Sequence, residues 1–279
     1  MPEGDTVYRA AAHLHEALAG SVVTRAELRV PRYSAAARSL VGCKITSATP
    51  RGKHLLTDFD DGRVLHTHLG MDGSWRIARS GQRPRVAHHL IRAALETNRT
   101  IALGLELSVV ELLTSDEATA RLGHLGPDLL GPDWDPSAAL ARIQQKPSRE
   151  IAAALLDQRN LAGLGNEYVT ELCFLRGLDP HTPVGEVRDI PRLIELAHRL
   201  ITVNRDRVER TTTGNLRRGQ RSWVFSRDGQ PCRRCGSTIL RETHASGSET
   251  SRDPNAVTRI SYRCPSCQPS SGPPTASRE

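Results

Sequence analysis

Two cysteine pairs, Cys232-x2-Cys235 and Cys264-x2-Cys267, constrain this chain more than any other feature of its sequence. Four thiolates at that spacing suit one tetrahedral Zn2+ in a structural site, so the segment carrying them is expected to fold around a metal. The competing arrangement, two disulfides, needs an oxidising compartment. The N terminus speaks against one: MPEGD leads into a polar helix pattern without the basic flank and apolar run of a signal peptide. No run approaches a membrane span either, since even residues 103–113 contain Glu106 and Glu111. A cytoplasmic protein with reduced cysteines is expected. Twenty-eight residues separate the two pairs, more than in common four-cysteine ribbons, and residues 242–255 read as a loop inserted into a hairpin, clear of the metal. Cys43 and Cys173 are isolated beside apolar residues and are expected to be buried packing residues.

The chain has 279 residues, room for two ordinary domains or three if one is small and metal-held. Its net charge of +7 is concentrated, because residues 199–241 hold eleven arginines against Asp206, Glu209 and Asp228. That is the footprint of a polyanion-binding surface. Lysine is scarce, with only Lys44, Lys53 and Lys146, so a lysine inside a motif is not filler.

Along the chain, Asp5 or Thr6 can cap a helix in which Val7, Ala11, Leu14 and Leu18 recur at helical spacing before Gly20. Residues 21–113 change to short alternating or β-branched runs broken by Gly, Pro and Asp, which predicts a β-sandwich. His66 and His68, two apart without further ligands nearby, read as strand residues on one face. LGPDLLGPDWDP, at 125–136, carries three prolines and two glycines and reads as an interdomain linker. Helical periodicity follows over 136–145, 149–158, 166–176 and 191–210, with the glycine-rich RNLAGLG between the middle pair and a polar, basic loop at 211–221. The expected architecture is multidomain α+β. It comprises an N-terminal helix and β-sandwich over 1–124, the linker 125–136, a helical domain over 137–222, a four-cysteine β-hairpin over 223–268 and a disordered tail at 269–279.

The amino terminus offers a second chemical signal. Methionine before proline is normally removed during maturation, leaving a secondary amine at Pro2 with Glu3 beside it. A chain-terminal amine titrates near ~8, so part of it is neutral and nucleophilic at neutral pH.

Together these segments resemble one family, the formamidopyrimidine-DNA glycosylase and endonuclease VIII enzymes of base excision repair. The resemblance is co-linear over almost the whole chain: PEG at 2–4, RGKHLL at 51–56, HLGMDGSW at 68–75, LGPDLL at 125–130, LLDQRNLAGLGN at 155–166, and the cysteine pairs with Arg259 before the second. PEG followed by GD, with the Arg-rich and Lys-poor composition, is most like an actinobacterial endonuclease VIII. The resemblance implies a bifunctional DNA glycosylase and abasic-site lyase that removes oxidised bases, pyrimidines above all, and cleaves the strand by β- or β,δ-elimination. Pro2 would form the Schiff base, Glu3 would move protons as the sugar ring opens, and Lys53 would hold the phosphate and sugar of the flipped nucleotide. Asn166, capping the helix after RNLAGLG, and Arg259 would clasp the flanking backbone, while the loop of Gly70, Met71 and Asp72 fills the gap left by the extruded base. The helical domain would be a helix-two-turn-helix element, the zinc structural, and the partner damaged double-stranded DNA, bound by a monomer in the cytoplasm and on the nucleoid. Family members often carry an acidic residue four positions after the proline, where this chain has Thr6. Two alternatives stay open: an enzyme acting mainly as an abasic-site lyase, and a non-enzymatic zinc-containing DNA-binding protein, which leaves PEG and RGK unexplained.

Overall fold

The computed structural model describes residues 2–82, 84–246 and 257–270. The chain forms two compact units, Met1–His124 and Leu125–Glu279. Elements of the first are α1 (Gly4–Leu18), β1 (Val23–Leu28), α2 (Ser34–Arg38), β2 (Ile45–Arg51), β3 (His54–Phe59), β4 (Arg63–His68), β5 (Ser74–Arg79), β6 (Ile91–Thr97), β7 (Thr100–Leu105), β8 (Val109–Thr114) and α3 (Ser115–Leu122). The strands pair antiparallel as two four-stranded sheets, β1-β6-β7-β5 and β2-β3-β4-β8.

The apolar stripe of α1 (Val7, Ala11, Leu14, Leu18) shares one core with Leu28, Leu95 and Ala102 of the first sheet and Ile45, Leu55 and Leu65 of the second. Burial of this stripe, not intrinsic propensity, fixes the helix. It starts earlier than the capping pattern suggests. Glu3 is the backbone N-cap, extended at φ −122° and ψ −173°, and Asp5 lies in the first turn, where a carboxylate is favoured by the helix dipole. Its Oδ1 accepts the Thr6 N–H at 2.7 Å.

The second unit contains α4 (Pro136–Gln144), α5 (Ile151–Leu156), α6 (Asn166–Arg176), α7 (Ile190–Asn204) and the antiparallel pair β9 (Leu240–Ser246) and β10 (Val257–Arg263). Both α5 and α7 are shorter than their periodicity predicts, for local reasons. Asp157 ends α5 by turning its carboxylate onto the N–H of Arg159 at 3.0 Å, a bond that competes with helix continuation. Asn204 ends α7: fully buried, it donates to the carbonyls of Leu200 and Thr211 and accepts the Thr211 N–H, all at 2.9 Å, so the chain folds back.

LGPDLL is woven into this unit. Leu125, Asp128 and Leu129 are buried, Gly126 N–H donates to Gln158 O at 2.8 Å, and Ala162 N–H donates to Pro127 O at 2.9 Å. The segment thus braces the RNLAGLG turn. Strand β9 extends into what reads as the inserted loop and β10 begins just past it; the rest of that loop, 247–255, and residues 271–279 of the expected disordered tail lie outside the described residues.

Candidate active site and nucleic-acid interface

In the first unit two hydrogen bonds, one of them to a side chain, set the direction of α1 against β2. Gly20 N–H reaches Ile45 O at 2.8 Å, and His15 Nδ1 accepts the Ala48 N–H at 3.3 Å. From His15 back to the helix start is about 16 Å at 1.5 Å per residue, and from Ala48 on to Lys53 is about 16 Å at 3.3 Å per residue. The start of α1 and the tip of the β2–β3 hairpin therefore come level. At one stand half-buried Pro2 and fully buried Glu3, whose side chain makes no capping bond to the helix. At the other stands Lys53, in a two-residue turn closed by the Arg51–His54 pair. Gly52 there has φ +57°, a backbone state that hairpin loops of this length reserve for glycine in first position.

The 69–73 loop joins the same neighbourhood through the sheet register, because His54 pairs with His68 across β3 and β4. Gly70, at φ +65°, donates its N–H to His68 Nδ1 at 2.9 Å, and Gly73 closes the turn onto Leu69 O at 2.9 Å. Met71 is 64% exposed at its tip with Asp72 exposed beside it, as a side chain meant to enter another molecule would be and a core methionine would not.

The sequence reading missed a row of imidazoles behind Lys53. His54 Nδ1 lies 2.9 Å from His66 Nε2, and His66 Nδ1 lies 2.9 Å from Glu111 Oε2 on β8. Arg121 of α3 completes the row, reaching Glu111 Oε1 at 2.6 Å. Burial, with His68 and His66 adding to it, depresses the His54 pKa to about 3, and burial lowers His66 and His68 as well. The signal was present as a histidine directly after RGK and an H-x-H strand. What the sequence lacks is the register that brings them together.

In the second unit Asn166 is the first residue of α6, and Gly165 is its N-cap. This corrects the expectation that Asn166 caps the helix. Its side chain is engaged elsewhere: Nδ2 donates to Ile260 O at 2.6 Å, tying the helix start to β10 one residue beyond Arg259. Arg259 itself pairs with His244 in the β9–β10 ladder; its side chain lies outside what the structure describes.

The four predicted ligands converge. Their Sγ atoms all lie within 4.8 Å of one another, with Cys232 and Cys267 at 4.0 Å and Cys235 and Cys264 at 3.3 Å. A tetrahedral ion with metal–sulfur bonds of about 2.3 Å asks for edges of about 3.8 Å, so the cluster could hold one metal ion. Arg234 N–H points at Cys232 Sγ from 3.4 Å, the kind of donor a thiolate ligand takes. The cysteine hairpin packs on α6 through Phe174, Val224, Ile239, Cys232 and Cys264. Buried Glu171 fixes the approach to it, accepting N–H bonds from Trp223, Val224 and Phe225 at 2.7–2.8 Å and the Thr212 hydroxyl. Of the isolated cysteines, Cys173 is fully buried, with burial pushing its thiol up to about 12, whereas Cys43 is half-buried against the Asp61 carboxylate at 3.3 Å.

The 211–221 loop presents less charge than its sequence promises. Arg210 is paired with Glu167 at 2.7 Å and stacked over Tyr168, and Arg221 is paired with Glu209. Arg217 and Arg218 are exposed beside Leu216. No helix among the described residues is long and apolar enough to cross a membrane.

Comparison with known proteins follows the same division. Residues 1–104 match the formamidopyrimidine-DNA glycosylase N-terminal domain and residues 125–215 match the formamidopyrimidine-DNA glycosylase H2TH domain. The chain is 48% identical over 276 residues to probable endonuclease 8 2 of Streptomyces coelicolor, covering 98% of this chain and 96% of that protein. It is 43% identical to the DNA-(apurinic or apyrimidinic site) lyase Nei2 of Mycolicibacterium smegmatis, covering 97% of this chain and all of the relative. Among solved structures, Lactococcus lactis Fpg in complex with abasic-site DNA superposes with a TM-score of 0.78 at 21% identity, over 96% of this chain and 99% of that one. Matched family domains over most of its length and near-full-length relatives above 40% identity make the chain a member of the formamidopyrimidine-DNA glycosylase family.

Proposed function

We propose that the protein is a bifunctional DNA glycosylase and abasic-site lyase of base excision repair, acting as a monomer on damaged double-stranded DNA. What supports this reading is the end of the first unit, where buried Glu3 follows Pro2 at the start of a helix whose first turn, by rise per residue, comes level with the Lys53 hairpin. With Met1 removed, the Pro2 nitrogen attacks C1′ of the damaged nucleotide, the bond to the base breaks, and an iminium joins protein and sugar. Glu3 transfers the proton that ring opening requires. The iminium acidifies the C2′ proton, and its loss expels the 3′ phosphate in β-elimination, with δ-elimination able to follow. Lys53 holds the phosphate and sugar of the nucleotide during these steps.

Extrusion of the base costs a few kcal/mol of stacking and pairing, and Met71, carried between Gly70 and Asp72, fills the space left behind. Asn166 and Arg259 hold the lesion-flanking phosphates from the second unit. One structural zinc on Cys232, Cys235, Cys264 and Cys267 keeps the hairpin in shape; its role is folding, not the reaction. Residues 1–124 then form the catalytic domain, 137–222 the helix-two-turn-helix domain and 223–268 the zinc finger. The enzyme works in the cytoplasm, on the nucleoid when bound to DNA. Oxidised pyrimidines are its proposed substrates, since the 211–221 loop is short and polar, a composition suited to backbone contact rather than to reading a purine.

Borohydride trapping on abasic duplex tests the mechanism, because only an amine nucleophile becomes covalently attached. Protein starting at Pro2 should trap, and protein retaining Met1 should not, since an amide nitrogen forms no iminium. Equal trapping by both would refute Pro2 as nucleophile. The Mycolicibacterium smegmatis relative, named as an abasic-site lyase, favours one second reading, in which base removal is weak and lyase action dominates. Comparing abasic with damaged-base duplexes under single turnover separates the two.

A further inference from the structure

The imidazoles behind Lys53 have their protons assigned by their neighbours. Glu111 is held as a carboxylate: burial opposes its charge, but bonds from His66 and Arg121 outweigh that and bring its pKa below the usual range. A carboxylate only accepts, so His66 Nδ1 must carry the proton at this contact. Neutral His66 then offers a lone pair at Nε2, and His54 must donate to it from Nδ1. That leaves the lone pair of His54 at its Nε2. The neighbouring ring is set the other way, because the Gly70 N–H can only donate and so makes His68 Nδ1 the acceptor. His68 therefore carries its proton at Nε2. The two rings sit edge to face with centroids 5.0 Å apart, and the Lys53 charge acts on both.

Resting on the functional reading above, we propose that the row Arg121–Glu111–His66–His54 is a positioning device for Lys53. It locks His54 as a neutral imidazole whose Nε2 lone pair is left to accept from the lysine ammonium. A protonated imidazole at this place would set a second cation against Lys53, and a freely rotating neutral one would spread the lysine's orientations. The groups facing His54, namely Lys53, His66, His68 and His124, all oppose its protonation. The row therefore keeps its polarity through the neutral range, and Lys53 meets the nucleotide in one pose. His54 and His66 act through Lys53 and touch no reacting atom.

Two measurements test this. Ring-nitrogen NMR of the DNA-free protein should find His54 protonated at Nδ1 and His68 at Nε2, and the opposite tautomer at His54 would overturn the proposal. The second is a double-mutant cycle under single turnover on abasic duplex. His54→Leu should slow cleavage about tenfold with little change in DNA affinity, while His54→Gln, which puts an acceptor near the Nε2 position, should stay within about threefold. In a Lys53→Ala background His54→Leu should cost nothing further; the same loss there would show that His54 acts independently of Lys53 and would sink the idea. Wild-type trapping is read first, so failure of the enzymatic reading is seen separately from the tautomer result, which needs no DNA.

Discussion

Glu171 shows how one side chain fixes a long stretch of irregular backbone. Its carboxylate takes three main-chain N–H bonds from residues 223–225, which belong to neither helix nor strand. Glu171→Ala would leave those donors buried and unpaired, so we expect a loss of about 3 kcal/mol or more in urea unfolding of the second unit. Asp157 gives a pH signature. Burial alone would raise its carboxyl, but bonds from Arg159 and Arg149 prevail and hold it at about 2. Its folded pKa lies below the unfolded value near ~3.9, so this stabilisation is present above about pH 4 and is lost as pH falls through about 2. Asp157→Asn should abolish about 2 kcal/mol of acid-dependent stability, measured as the difference between unfolding at pH 5 and at pH 2. An unchanged acid profile would remove Asp157 from this role.

At the scale of elements, the hydrogen bond from Asn166 to Ile260 makes the start of α6 and strand β10 one piece. Cys264→Ser should therefore abolish the proposed zinc site, unfold the hairpin and lower DNA affinity at least tenfold, while circular dichroism still reports the β-sandwich. Metal-free protein with intact affinity would contradict it. The cysteine spacing, the α1 stripe and the α6 boundaries could be read directly because each depends on residues close in sequence. Helix α3 could have been found as well: Thr114 and Glu117 form a reciprocal capping box, a T-x-x-E pattern visible in the sequence. Other features are set from a distance. Nothing near residues 205–210 reveals that Asn204 will bind Thr211 and end α7, and nothing near His54 reveals the His66 and Glu111 partners that register supplies. Residues 125–129 look like a linker from their prolines and glycines, yet their burial depends on the RNLAGLG turn more than thirty residues away.

For the molecule as a whole, the proposed nucleophile and the four-cysteine cluster reside in separate compact units. Chemistry and grip should thus be separable by mutation. Substrate choice tests the complete machine: single-turnover release of thymine glycol should exceed that of 8-oxoguanine opposite cytosine in matched duplexes, and the reverse order would overturn the pyrimidine assignment. The burial of Glu3, Gly4 and Asp5 also sets an order of events during synthesis. A peptidase needs the first few residues extended to cut after Met1, but folding draws those residues into the sandwich. On the proposed mechanism, excision must then win a race against docking of α1 on the emerging chain, and any molecule that folds first would bind DNA normally while lacking the Pro2 amine, a self-made competitor for the same damaged sites.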